Sequence, residues 1–184
     1  NWGNITTALR WNHVVNPKMF MNLTATYSRY NFNIGAENTS TTRDLLTGNT
    51  ITQAFGIGYK SGIYDNGLKV DFDYLPSAAH HIRYGANYIY HTFKPGVTAF
   101  KLNVSGTAMD TTFGSQNIYA HEGFLYIEDD WNISKRLKVN FGLHGSAFKL
   151  TDTTYRSLQP RISARYLINP DLSLKVSASK MTQF

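Results

Sequence analysis

The chain has 184 residues, with 18 Lys and Arg against 12 Asp and Glu for a formal charge of +6, and no cysteine. That length suits one domain and is short for two, and without cysteine there is no disulfide framework, thiolate zinc site or thiol nucleophile. No apolar run approaches the roughly 20 residues that a membrane-spanning helix needs.

Residues 1–4 lack the basic-then-apolar pattern of a leader, so the chain is expected to begin within a fold. Only 16% of residues are charged while 14% are aromatic, with 12 Tyr and 11 Phe. A soluble domain carries about 25% charge, and here the apolar residues are spread thinly and evenly instead of in clumps. The cations are scattered too. Lys135-Arg136 is their only adjacent pair, so no basic stripe forms and no nucleic-acid partner is expected.

Residues 3–15 and 19–33 read as two strands joined at Asn16-Pro17-Lys18. Over 67–75, Leu68, Val70, Phe72 and Tyr74 alternate with Lys69, Asp71 and Asp73, and residues 51–63 extend that strand upward. After a turn at Pro76-Ser77-Ala78-Ala79, residues 80–93 set Ile82, Tyr84, Ala86, Tyr88 and Tyr90 against Arg83, Gly85, Asn87 and His91. Residues 118–131 form the next strand. Over 137–149, Leu137, Val139, Phe141 and Leu143 alternate with Lys138, Asn140, Gly142 and His144. Residues 156–168 carry Ile162, Ala164 and Tyr166 against Arg161, Ser163 and Arg165. Finally, 172–183 carries Leu172, Leu174, Val176 and Ala178 against Ser173, Lys175, Ser177 and Ser179. A period of two in Thr, Tyr, Val and Phe, with no sustained helical spacing, predicts an all-β chain.

The short turns (16–18, 76–79, 133–136 and 169–171) alternate with longer polar connections near 35–50, reaching towards 66, and near 94–117, with a brief one near 151–154. Antiparallel strands zigzagging between a rim of tight turns and a rim of long loops would produce this order. The expected fold is an antiparallel up-and-down transmembrane β-barrel segment of about eight strands, each long enough to cross a bilayer when tilted. A soluble β-sandwich or a lipocalin-like barrel also alternates. Its outward face would be polar, however, whereas several strands here pair an aromatic-rich face with one of charges, Gly and Ser.

The segment WGNITTALRWNHVVNPKMFMNLTATYSRYNFNI, beginning at Trp2, resembles a strand–turn–strand of Bacteroidetes-type TonB-dependent outer-membrane receptors. SGIYDNGLKVDFDYLPSAAHHIRYGANYIYHTFKPG (Ser61–Gly96) resembles the next hairpin of that family. EGFLYIEDDWNISKRLKVNFGLHGSAF (Glu122–Phe148) and LQPRISARYLINPDLSLKVSASKMTQF (Leu158–Phe184) resemble its most recurrent barrel stretch. The resemblance implies a barrel of about twenty-two strands with a plugged lumen, importing a scarce nutrient with energy from TonB–ExbB–ExbD. It makes 1–184 part of a single β-barrel domain without its plug, in the bacterial outer membrane. The implied partners are outer-membrane lipid, the plug and remaining strands of a longer chain, TonB–ExbB–ExbD through that plug, and a surface lipoprotein. The nutrient, whether iron chelate, cobalamin, peptide or glycan, stays open.

Alternation nominates the lumen- or plug-facing residues: Lys69, Asp71, Asp73, Arg83, Glu128, Asp130, Arg161 and Arg165. Glu128 and Asp130 share a face, as do Arg161 and Arg165, and a ladder of paired charges is expected there. Trp2, Trp11, Tyr27, Tyr74, Tyr90, Trp131 and Tyr166 are the candidates for aromatic girdles at the two water interfaces. His80 and His81, as neighbours on a strand, point to opposite faces. His13, His91, His121 and His144 lie on separate segments without metal-ligand spacing. No metal, cofactor or catalytic residue is therefore assigned.

Ser105-Gly106 and Gly145-Ser146 occur without a GxSxG elbow. The enzyme-class alternative is a small, complete outer-membrane hydrolase or acyltransferase. Terminal Phe184 would suit such a barrel, although Lys180 falls where its assembly signal wants an apolar residue. A soluble β-sandwich binding module is the third reading. Gly35–Asn49 and Pro95–Asn117, expected as long loops, are the candidates for ligand contact.

Overall fold

A computed structural model describes every residue except 44, 45, 47, 105, 106, 115 and 184, with the backbone alone at 104 and 107. The described residues form β1 (Trp2–Asn16), β2 (Met19–Arg43), β3 (Thr50–Ser77), β4 (His80–Val104), β5 (Thr107–Gly114), β6 (Ile118–Asn132), β7 (Leu137–Leu150), β8 (Thr153–Asn169) and β9 (Leu172–Ser179). One sheet takes them in the order β1-β2-β3-β4-β6-β7-β8-β9, and β5 pairs with β4 off that path. The architecture is all-β and antiparallel up-and-down, with nine strands where about eight were expected from the sequence.

Four tight turns share one local device. Asn16 Oδ1 accepts the Lys18 N–H at 2.9 Å, and Asn169 Oδ1 accepts that of Asp171 at 3.0 Å. Ser77 Oγ accepts the Ala79 N–H at 3.2 Å, while Ser134 Oγ accepts from Arg136 and Leu137 at 3.2 and 3.0 Å. A short side-chain oxygen two residues ahead thus takes over a backbone donor that the ladder leaves free, and Pro17 and Pro170 preset φ beside two of these oxygens. The connection between β7 and β8 is a two-residue turn, in which Thr151 has a φ of 48°. A β-branched residue rarely adopts that left-handed conformation.

The long polar connections expected at 35–50 and 94–117 are mostly strand. β2 continues to Arg43, β3 begins at Thr50, β4 runs to Val104, and β5 returns along it with Val97 opposite Gly114 and Asn103 opposite Ala108. These segments lack clean alternation, yet a ladder needs only backbone donors and acceptors in register, so Asn-, Thr- and Gly-rich sequence can still pair. Residues 51–63 do belong to the third strand. Ser105-Gly106 and Phe184 lie outside the described residues.

The chain divides into two compact units: Thr7–Tyr27, Asp65–His91 and Tyr119–Phe184 in one, and Asn1–Thr6, Ser28–Tyr64 and Thr92–Ile118 in the other. The larger unit, built around the four tight turns, has no dry interior. Ala120 is the one buried apolar residue among those described, while Leu68, Leu125, Leu174 and Val176 are 52–67% exposed. A soluble sandwich packs such residues between two sheets; here they stand on one face of a single sheet, which removes the sandwich reading.

Within the larger unit the two faces therefore call for different solvents. Ile162→Arg, on the apolar face of β8, is expected to cost about 2–4 kcal/mol in a bilayer, whereas Ser163→Arg on the opposite face should cost under about 1 kcal/mol. Urea unfolding of the receptor that contains this chain, reconstituted in lipid, measures both; equal penalties would contradict the two-faced assignment.

Candidate functional site

The opposite face of the larger unit carries a connected set of ionic side chains. Glu128 sits at its centre, receiving Arg83 Nη2 at 2.8 Å and Arg161 Nη2 at 2.9 Å. Arg83 also reaches Asp130 at 3.3 Å, and Asn140 donates to Asp130 at 2.9 Å. Lys69 pairs with Asp71 at 2.9 Å, and Asp71 in turn accepts the Tyr126 hydroxyl at 2.6 Å. His81 meets Asp73 at 2.9 Å, and the His91 ring spans Asp65 at 2.8 Å and Glu122 at 3.2 Å.

Two glycines make the longest of these links possible. Register sets Glu128 opposite Gly142, and Gly142 opposite Arg161, so the acid and the base lie two strands apart with a glycine between them. A Cβ at Gly142 would come within 2.8 Å of Arg161 Nε and 3.1 Å of Glu128 Cβ. Its absence leaves the gap through which the two side chains meet. Gly85 does the same for Tyr126 and Asp71: a Cβ there would lie 2.8 Å from the Tyr126 ring and would collide with the Val70 carbonyl. Strand glycines commonly mark such close approaches.

Arg165 completes a different pattern. Lys138 faces Arg165 and Arg165 faces Lys175 across three strands. Like charges placed directly opposite are destabilising. The nearest acid to this row is Asp130, at 3.9 Å from Lys138. The row borders a cleft of about 310 Å³ together with Ser163 and Ser177.

The structure thus joins Arg83, Glu128, Asp130 and Arg161 into one network, places Lys69 with Asp71 and Asp73 with His81, and leaves Arg165 among cations. Tyr126, Glu122 and Asp65 belong to the same face and were not singled out from the sequence, while His91, set beside Arg83 by alternation, joins the network as well. Their signal was available, since each falls on the alternation of a charged neighbour already recognised.

On the apolar face of the larger unit stand Trp11, Tyr27, Tyr74, Tyr90, Trp131 and Tyr166. Trp11 stacks on His13 at 5.3 Å and Tyr90 on Tyr119 at 5.9 Å. In the smaller unit, Trp2 alternates with Gly3 onto the face of Thr6, whose hydroxyl lies 3.4 Å from that of Ser28. His80 and His81 do point to opposite faces, and each has a carboxylate. His80 Nδ1 meets Asp129 Oδ2 at 2.6 Å beneath the stacked ring of Trp131. Asp129 is buried, and its Oδ1 has no hydrogen-bond partner. Among the described residues no group of three His, Asp or Glu side chains is arranged to hold a metal ion.

One antiparallel sheet with an exposed apolar face and a cross-linked ionic face is what a segment of a β-barrel membrane protein presents. The family model for the TonB dependent receptor-like β-barrel matches residues 2–182, and the chain belongs to that family. No curated protein is similar enough in sequence to match it. The family resides in the outer membrane and works as receptor and transporter, not as a catalyst; its members carry a plug and couple to TonB.

Gly142→Leu is expected to drive Glu128 and Arg161 apart and lower the unfolding free energy by about 1–3 kcal/mol. Combined with Glu128→Gln it should add little further loss, because both changes break one link. Fully additive losses in a double-mutant cycle would refute the glycine-gated bridge.

Proposed function

We propose that the chain is part of the single barrel domain of a Bacteroidetes-type TonB-dependent receptor that imports a scarce nutrient: an iron chelate, cobalamin, a peptide or a glycan. The plug and the remaining barrel strands belong to a longer chain, and a surface lipoprotein is a further partner. The observation that carries this reading is the pairing of an exposed apolar face with the opposed ionic network around Glu128.

In this reading Lys69, Asp71, Asp73, Arg83, Glu128, Asp130, Arg161 and Arg165 face the lumen and its plug. The network keeps that wall hydrated and rigid. The row Lys138–Arg165–Lys175 is complementary to an acidic stretch of the plug. Trp11, Tyr27, Tyr74, Tyr90, Trp131 and Tyr166 serve as interfacial anchors, where an amphipathic ring meets both water and hydrocarbon, whereas Trp2, at an even position of β1 where Trp11 is odd, alternates to the other face of that strand. Nutrient contact falls to the extended ends of β2–β4 and to the β4–β5 hairpin, whose Phe100, Met109 and Phe113 border a cleft.

Two experiments test it. Deleting the gene should slow growth when one of the four nutrient classes is limiting, and deleting TonB should slow it equally; unaffected growth across the whole panel would sink the import reading. Because this chain contributes no cysteine, single cysteines also report the wall. In the full receptor, Arg161→Cys should react with a water-soluble maleimide once the plug is removed, and Ile162→Cys only with a lipid-soluble one. The reverse pattern would turn the barrel wall inside out.

A further inference from the structure

The apolar face of the larger unit is not uniformly bulky. A groove of about 720 Å³ crosses it, walled by Leu23, Leu68, Val70, Leu125 and Tyr88 and ending at Arg156. Its floor is made of Ala86, Gly123, Gly145 and Ala147, with Gly123 opposite Ala147 and Leu125 opposite Gly145 in the ladder. The volume falls within the range of small-molecule sites, roughly 300–1,000 Å³.

The glycines of this floor differ from those of the ionic face. A Cβ at Gly123 would meet nothing nearer than the Asn87 carbonyl at 3.7 Å, and one at Gly145 nothing nearer than Leu158 Cδ1 at 3.9 Å. Those are ordinary contacts, so packing does not demand glycine at either place. What the two glycines supply is depth.

One end of the groove is bordered by Arg156, with Lys149 beside it just outside the lining. Arg156 faces Ala147 and Lys149 faces His121 across neighbouring strands, so Lys149 and Arg156 are diagonal neighbours on the apolar face. Neither has a carboxylate within ion-pair distance among the described residues, and both are exposed. The Tyr88 hydroxyl lies 2.6 Å from His121 Nδ1, and Tyr90 packs on Tyr119 beside it. Cations and tyrosines at the end of an apolar band mark the height of lipid headgroups. They stand beside the β7–β8 turn, at the strand ends remote from the four tight turns. In such barrels the rim that gathers the short turns is the periplasmic one; the four tight turns all lie at the opposite strand ends, so this end faces outward although its own β7–β8 connection is short.

We propose that the groove is a binding site for a phosphorylated lipid of the outer leaflet. One acyl chain lies on the floor of Ala86, Gly123, Gly145 and Ala147, and the phosphate is held by Lys149 and Arg156. Charge complementarity selects this occupant: two unpaired cations at the polar end of an apolar trough suit an anionic amphiphile and disfavour a second copy of the same cationic face. The proposal rests on the outer-membrane placement given by the family.

Native mass spectrometry of the full receptor in mild detergent tests it, with diphosphorylated lipid A as the probe and phosphatidylethanolamine as the zwitterionic comparison. Lipid A should be retained one per receptor, at least tenfold more readily than phosphatidylethanolamine. The charge variant K149Q/R156Q should erase that preference, and the filling variant G123L/G145L should lower retention of both lipids. Both sets lie on an open face, and the heat-modifiable gel band confirms that each variant is folded. Equal retention of the two lipids, indifference to both variants, or a receptor dimer that G123L/G145L dissociates would overturn the site. Nutrient-limited growth distinguishes the two readings: a receptor still required for growth but holding no lipid loses only this inference.

Discussion

The governing constraint is that a sheet buried in hydrocarbon must satisfy every backbone donor and acceptor within its own ladder. Once the ladder is in place, period-two alternation sends successive side chains to opposite faces, and each face answers to its own surroundings. That is why this chain needs no dry core. Ala120 alone among the described apolar residues is buried, while Leu125, Leu174 and Val176 stand open on the side that meets lipid. Stability comes from the ladder, from lipid contact on one face, and from cross-strand pairs on the other.

The two faces use small residues for different ends. On the ionic face, Gly85 and Gly142 remove a side chain so that residues two strands apart can touch, tying three strands together through a single hydrogen bond or ion pair. Such links lie in a half-hydrated setting, where a lone pair is worth little and a connected set is worth more. Glu128 shows the benefit of connection, since one carboxylate receives two arginines from two different strands. On the apolar face, Gly123 and Gly145 link nothing. They lower the floor of the groove.

For a transporter these properties have a consequence. A face braced across strands in this way is stiff, and in the proposed receptor it would present a steady wall to the plug. Arg165 and Lys175, with no acid within ion-pair distance among the described residues, and Lys138, whose one acid is Asp130 at 3.9 Å, are the part of this face that its own ion pairs leave least balanced. The proposed assignment of nutrient contact to the ends of β2–β4 follows the general rule that segments carried on a rigid scaffold hold the variable chemistry.

Much of this was legible in the residues themselves. Alternation in 67–75, 80–93 and 156–168 placed the strands and sorted Asp71, Arg83 and Arg161 from Val70, Ile82 and Ile162, because a period of exactly two is a local property that survives any tertiary arrangement. The tight turns were legible for the same reason, through Asn16, Ser134 and Asn169. Hidden were the strands over 35–43, 95–104 and 107–114, whose polar residues carry no amphipathic signature, and which partners meet across strands. Register decides that Glu128 and Arg161 meet over Gly142, that His80 covers Asp129, and that Gly123 and Gly145 align into a trough. Sequence spacing alone set which face each side chain takes; only the pairing of distant strands, a long-range property with no local code, determined which of them touch.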